Sequence, residues 1–352
     1  MKILFVMDKR VNAGSIQAVA AYVRAGDELG HTIALYGRPD PNFPTVRFSR
    51  DLADADYVVF IFESGVQWLS GLRLPRILSA IPRARRAILD ADGLYNPLVR
   101  VNCYDRNHPN EAQRAEWVGR CDLLAGRVLQ PSTQPQLPGV RSVPFYGFDP
   151  GLKIEPAASP TKRFDIVHLG HNWWRWEEIS RTLLPSLERI RDQVGDVSFV
   201  GSWWNGTPPT PIERELEAAF SADSALFQRL RIDVQPPVPY TRVIEKMSEG
   251  RVNIMTQRPL FKQLRLLTSK YFELFAADTI PLVMIDPDHA EEVYGPDGRH
   301  LALHGDVAGR LLDALQHPGR YREIVTSVRR HLEEHHSYRK RVEELVVALN
   351  TA

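Results

Sequence analysis

Between positions 262 and 273 the sequence sets cations and hydroxyls ahead of an acid: Lys262, Arg265, Thr268, Ser269 and Lys270, then Glu273. Arginine grips two phosphate oxygens at once, and lysine adds a compact charge. A helix opening near Thr268 would aim its first free N–H groups at the same anion. The strip therefore predicts a phosphate cradle that needs no metal. The competing reading is a solvated basic face with Thr268 as a plain helix cap.

Three other groups carry chemistry. Asp90 and Asp92 lie in LDADG at 89–93, where one carboxylate could deprotonate a hydroxyl as general base. Against this stands a turn aspartate that caps its own backbone. His108 and His171 are weaker base candidates. Gly170, His171 and Asn172 sit in a strand–turn–helix position, where doubly wound sheets bind ligands. Trp173, Trp174, Trp176, Trp203 and Trp204 gather at two strand ends, and their faces suit stacking on a base or a sugar. The competing reading is that two of the five are simply core. The small first turn, Asn12 to Ser15, centres on Gly14 and admits a phosphate or sugar close to the backbone, or is simply tight.

Several chemistries are disfavoured. G-x-G-x-x-G is absent, so a dinucleotide cofactor is not expected. G-x-S-x-G is absent as well. His331, Glu334 and His335 match a zinc pattern, but the surrounding helix is charged on nearly every side and only a short tail follows. It reads as a solvated helix. Cys103 and Cys121 have no metal spacing and exclude a disulfide scaffold at 352 residues. The formal net charge of +1 gives no global pull toward nucleic acid. No apolar stretch is long enough to span a bilayer, and the N-terminus lacks the features of a signal peptide, so a cytoplasmic protein is expected.

These groups need elements to hold them. Buried apolar runs recur at 1–7, 31–36, 57–62 and 86–89, with weaker ones at 126–129 and 140–144. The first is followed by a helical pattern at 16–29 capped by Ser15. This rhythm predicts a parallel sheet covered by helices. It breaks at 149–163, rich in proline, alanine, serine and lysine. It resumes with strands at 164–169, 197–200, 230–234, 252–255 and 280–285. Helices are expected at 176–193, 239–248, 268–277 and 307–315, and one long charged helix at 321–349.

The second half resembles the donor domain of GT-B glycosyltransferases, nearest the family-4-like and spore-maturation-type members. The segment SKYFELFAADTIPLVMID at 269–286 is similar to the family's acid-bearing helix, small-residue turn and buried strand. Segments 238–257 and 294–324 resemble its flanks, and 337–349 its terminal helix. The resemblance covers half the chain and implies that Glu273 takes the ribose hydroxyls. It departs at Arg265, where the family has a second glutamate, and at Asp278, where glycine is usual.

The expected fold is α/β, two Rossmann-like doubly wound domains facing a cleft. Residues 1–148 would form the acceptor-side domain, 149–163 a linker and 164–333 the nucleotide-sugar domain, with 334–352 crossing back. The expected function is sugar transfer from a nucleotide-diphospho-sugar, with a UDP- or GDP-sugar as co-substrate. The acceptor is open: glycan, lipid-linked sugar, small molecule or protein, but not nucleic acid, with peripheral membrane contact allowed. No cofactor or metal is expected. Asp90 and Asp92 are the candidate catalytic pair. Gly14, Gly170, His171, Asn172, Trp173, Arg265, Thr268, Ser269, Lys270 and Glu273 are the candidate donor ligands. The alternatives are a sugar-nucleotide epimerase, which would turn over donor alone, and a non-catalytic binder, indifferent to loss of both aspartates.

Overall fold

The computed structural model describes residues 1–7, 14–62, 73–96, 111–207 and 219–351. Asn12, Ala13, Cys103 and His108 lie outside them. The chain forms two compact units. One comprises Met1–Gly147, Leu264–Ser269 and His336–Ala352; the other comprises Phe148–Gln263 and Lys270–His335.

In the first unit the apolar runs pair as parallel strands: β1 (Lys2–Val6), β2 (Thr32–Tyr36), β3 (Phe48–Ser49), β4 (Tyr57–Ile61), β5 (Arg86–Leu89), β6 (Arg127–Gln130) and β7 (Val140–Ser142). Their order is β3-β2-β1-β4-β5-β6-β7. Alternate residues serve opposite faces. Leu4, Val58, Phe60 and Ile88 pack with Cys121 and Leu124. On the other face Phe5 meets Tyr22 edge-on at 5.3 Å, and Tyr22 stacks on Phe145 at 5.6 Å. The helix Gly14–Glu28 supplies Tyr22, and Ser15, expected as its cap, is a buried residue inside it.

Helix Tyr338–Asn350 completes this unit. The expected long helix at 321–349 is two helices, Pro318–His335 and Tyr338–Asn350. They part at Ser337, whose side chain accepts from the Lys340 N–H as an N-cap. Arg341 is fully buried and donates to the Tyr146 carbonyl at 3.0 Å. Arg141 bonds the carbonyls of Ala348 and Thr351 at the other end, where a cation favours the helix dipole.

The second unit holds β8 (Phe164–Leu169), β9 (Val197–Val200), β10 (Ile232–Gln235), β11 (Gly250–Met255) and β12 (Ile280–Val283). They form a parallel sheet in the order β10-β9-β8-β11-β12. Segment 149–163 is seated on this unit, with the Ile154 N–H on the Ala276 carbonyl at 2.8 Å and the Arg163 N–H on the Glu249 carbonyl at 2.8 Å. The helical stretch 176–193 contains a π segment, Ile179–Leu183, just before Pro185. Proline lacks the N–H that an α-turn needs there, and the wider turn accommodates it. Among the described residues no helix is long and apolar enough to cross a membrane.

Candidate functional site

Strand order reverses in the second unit between β8 and β11. The chain builds β9 and β10 on one side of β8, then returns to place β11 on the other. The carboxyl ends of β8 and β11 thus bound a crevice at a switch point. β8 runs out into Gly170, His171 and Asn172, and β11 into Thr256, Gln257 and Arg258. Gly201, after β9, lies against the first of these ends. A Cβ there would sit 2.1 Å from the Gly170 carbonyl oxygen, so only glycine fits.

Cations collect at the crevice. Arg175 donates to the His171 carbonyl at 2.7 Å and the Thr256 carbonyl at 3.4 Å, bridging the two strand ends. Burial first, and then the charge of Arg258, pushes Arg175 down to about 9. It stays charged at neutral pH, held as a cation in a buried place beside a second guanidinium. Lys270 pairs with Glu273 at 2.8 Å, and Lys262 with Glu178 at 3.1 Å. Among the described residues, Glu178 and Glu273 are thus each committed to a lysine, Lys262 and Lys270, beside the guanidinium groups of Arg175 and Arg258. Arg175 and Lys270 line one pocket with Leu169, Met255 and Thr256.

Buried polar atoms concentrate at the same place. Glu178 Oε2, Thr256 Oγ1, Arg258 Nε, Asn253 Nδ2 and His168 Nε2 have no hydrogen-bond partner among the described residues. Buried polar atoms are normally paired, so such a cluster marks a place built for other atoms. Burial raises the Glu178 carboxyl despite Lys262. Glu273, buried, receives hydrogen bonds from Lys270 and from the Tyr240 hydroxyl.

The predicted residues divide. Lys270 and Glu273 share helix Lys270–Ala276, shorter than the expected 268–277. At seven residues its dipole is small, so side-chain charge carries the attraction. Thr268 and Ser269 precede the helix and, with Arg265, belong to the first unit. There Leu267 donates to the Pro131 carbonyl at 2.7 Å and Ser132 to the Leu264 carbonyl at 2.6 Å. Arg265 holds a left-handed φ of 49°. The cationic strip is therefore split between the units, not carried by one helix.

Asn172 is fully buried and donates to the Trp203 and Ser221 carbonyls, which ties loops together. Trp173 is buried against Phe220 at 4.8 Å, a core position where an exposed stacking face was expected. Trp204 is also core, its indole N–H on the Gly170 carbonyl at 2.8 Å. Trp174, Trp176 and Trp203 remain half-buried. His171 is exposed at one edge, and its Nδ1 accepts from the Ser202 N–H at 3.0 Å. Burial, reinforced by Arg175, Lys270 and Arg258, pushes it down to about 4.

In the first unit, Gly14 opens its helix. Asp90 is fully buried. Its carboxylate accepts from the N–H groups of Leu94 at 2.8 Å and Tyr95 at 2.7 Å, and from Gln130 at 2.8 Å. Burial raises its pKa. This geometry caps the turn, as the competing reading of the sequence had it. Asp92, 7% exposed, lies at the same strand end. His331 and His335 have rings 4.5 Å apart. Among the described residues no group of three or more His, Cys, Asp or Glu side chains is placed to hold a metal.

Sequence reading missed Arg175, Arg258, Thr256 and Tyr240. The signal for the first was present, an arginine ending the turn after a buried strand, but the tryptophans around it drew the attention.

Residues 175–346 match the model of the family described as glycosyl transferase-like. No curated protein matches the chain. Solved structures resemble it in fold across its whole length. T4 phage BGT with its UDP-glucose substrate has a TM-score of 0.53 at 12% identity, and the same enzyme with UDP and Mn2+ has 0.56 at 12%. An alpha-glucosyltransferase with UDP and a 13-mer DNA has 0.63 at 11%. Each comparison covers 100% of both chains.

Proposed function

We propose that this GT-B glycosyltransferase, whose residues 175–346 match the glycosyl transferase-like family, takes a nucleoside diphosphate sugar as donor and holds it at the switch point of the second unit. One observation carries the reading. Arg175 spans the ends of β8 and β11 and lines a pocket with Lys270, near a second guanidinium, Arg258, amid buried polar atoms that have no partner among the described residues. An anion with several acceptor oxygens pairs with the cations and with those polar atoms together. A diphosphate is such an anion, and Glu273, held by Tyr240 and Lys270, suits the ribose diol beside it.

In the reaction, Arg175, Arg258 and Lys270 stabilise the charge that develops on the departing diphosphate. Side-chain cations suffice for that in this reading. Mn2+, bound with UDP in one similar structure, is checked by comparing turnover in EDTA and in added Mn2+. Asp92 takes the proton of the acceptor hydroxyl, while Asp90 shapes the turn that presents it. UDP-glucose, the substrate named with the T4 phage structures, is the first donor to assay. The acceptor carries a hydroxyl. Its class follows from transfer assays on glycan, lipid-linked, small-molecule and protein acceptors, with DNA, bound in one similar structure, as a further arm.

The direct test is thermal unfolding with UDP and GDP. A ligand at about 100 times its Kd stabilises the native state by about 2.7 kcal/mol, a shift of several degrees. At least one of the two raises the wild-type melting temperature, and Arg258→Met and Glu273→Ala lose most of that response. Without nucleotide, Arg258→Met melts no lower than wild type, because it removes a like charge. A wild type indifferent to both nucleotides, or variants that respond as fully as wild type, would overturn the proposal.

A further inference from the structure

Two tryptophans beside the crevice have backbones that bulky residues avoid. Trp174 and Trp203 adopt left-handed φ values of 57° and 69°. Strain of this kind persists where the surroundings enforce it, and it gathers at ligand contacts. Both side chains are half-buried, in contrast to the core rings of Trp173 and Trp204. Trp203 is braced edge-on by Phe220 at 5.0 Å and lies 5.3 Å from His171.

His171 is fixed as well. Its Nδ1 accepts from the Ser202 N–H, so the neutral ring carries its proton on Nε2 and offers a donor there. Its carbonyl binds Arg175, and the charges of Arg175, Lys270 and Arg258 all bear on its ring. Contacts link the groups pairwise: Glu273 to Lys270, Lys270 to Arg175 through the pocket they share, Arg175 to His171, and His171 to Trp203. A nucleotide sugar joins ribose, diphosphate and sugar in turn, so a ligand with its ribose at Glu273 and its diphosphate at the cations carries its sugar toward His171 and Trp203.

Resting on the donor reading above, we infer that His171 and Trp203 bind the transferred sugar: the indole stacks on a face of the pyranose, and His171 Nε2–H donates to one of its hydroxyls. Aromatic faces and sugar C–H faces are complementary in polarity, and a fixed neutral donor selects hydroxyl geometry. This pair is a determinant of which sugar is accepted, separate from the grip on the nucleotide.

The test compares each sugar nucleotide with its own diphosphate on the full chain. UDP against UDP-glucose, and GDP against GDP-mannose, are titrated calorimetrically into wild type, Trp203→Gly and His171→Phe. Glycine occupies φ 69° without strain and phenylalanine keeps a ring against Trp203, and retained diphosphate binding reports that each variant is folded. Wild type binds at least one sugar nucleotide more tightly than its diphosphate. Both variants lose about tenfold on the sugar nucleotide and stay within about twofold on the diphosphate. Equal losses on both ligands, or no loss on either, overturn the inference while leaving the donor site intact. A wild type that binds none of the four removes the donor reading and this one together.

Discussion

Asp90 commits its carboxylate to its own turn, and that decides what each aspartate of the pair can do. Replacing Asp90 with asparagine removes one of the two oxygens that serve Leu94, Tyr95 and Gln130. Leaving a buried donor unpaired costs about 1–3 kcal/mol. Asp90→Asn therefore melts lower than wild type, while Asp92→Asn transfers sugar about 10²–10⁴-fold more slowly. Melting curves and turnover on the two variants check this, and the opposite pattern would exchange their roles. The residue types for a general base were readable at 89–93. Which of the two was buried under Gln130 was not, because that contact spans 40 positions. Glu273 and Lys270 were readable because they are neighbours on one helix. Arg175 and Arg258 were not, because their meeting depends on β8 and β11 lying side by side.

At the scale of elements, local chemistry set the strands well and helix ends less well. The buried runs at 86–89, 164–169 and 197–200 are strands at those positions. The charged stretch at 321–349 reads as one helix by period, yet Ser337 stops it, since a serine side chain offers the backbone an alternative bond. Helix 268–277 begins late because Leu264–Ser269 pairs with 131–133 of the first unit. β8 also carries a pH dependence. His168 is buried on it, Nδ1 against the Ile254 carbonyl at 2.9 Å, and burial pushes it down to about 3. In the unfolded chain a histidine titrates near 6.5, so between about 6.5 and 3 the unfolded state binds the extra proton. Stability is then lost as pH falls through that window, by up to about 1.4 kcal/mol per pH unit from this one group. Denaturant titrations at pH 7, 6, 5 and 4 should show a shallower fall for His168→Gln. An unchanged slope would mean that other groups govern the acid response.

For the whole molecule, the alternation of buried runs and helical periods made a two-sheet α/β chain legible. Both sheets are parallel, and the fold is that of the glucosyltransferases it resembles at 11–12% identity. Fold alone does not fix chemistry. Central to the proposed function is the binding of a diphosphate by the cations at the β8–β11 switch point. A crystal structure of the chain with UDP tests it most directly. Diphosphate oxygens are expected within about 3.5 Å of the Arg175 or Arg258 guanidinium and of Lys270 Nζ, with the ribose at Glu273. UDP bound at another place, with those cations contacting only solvent, would contradict it.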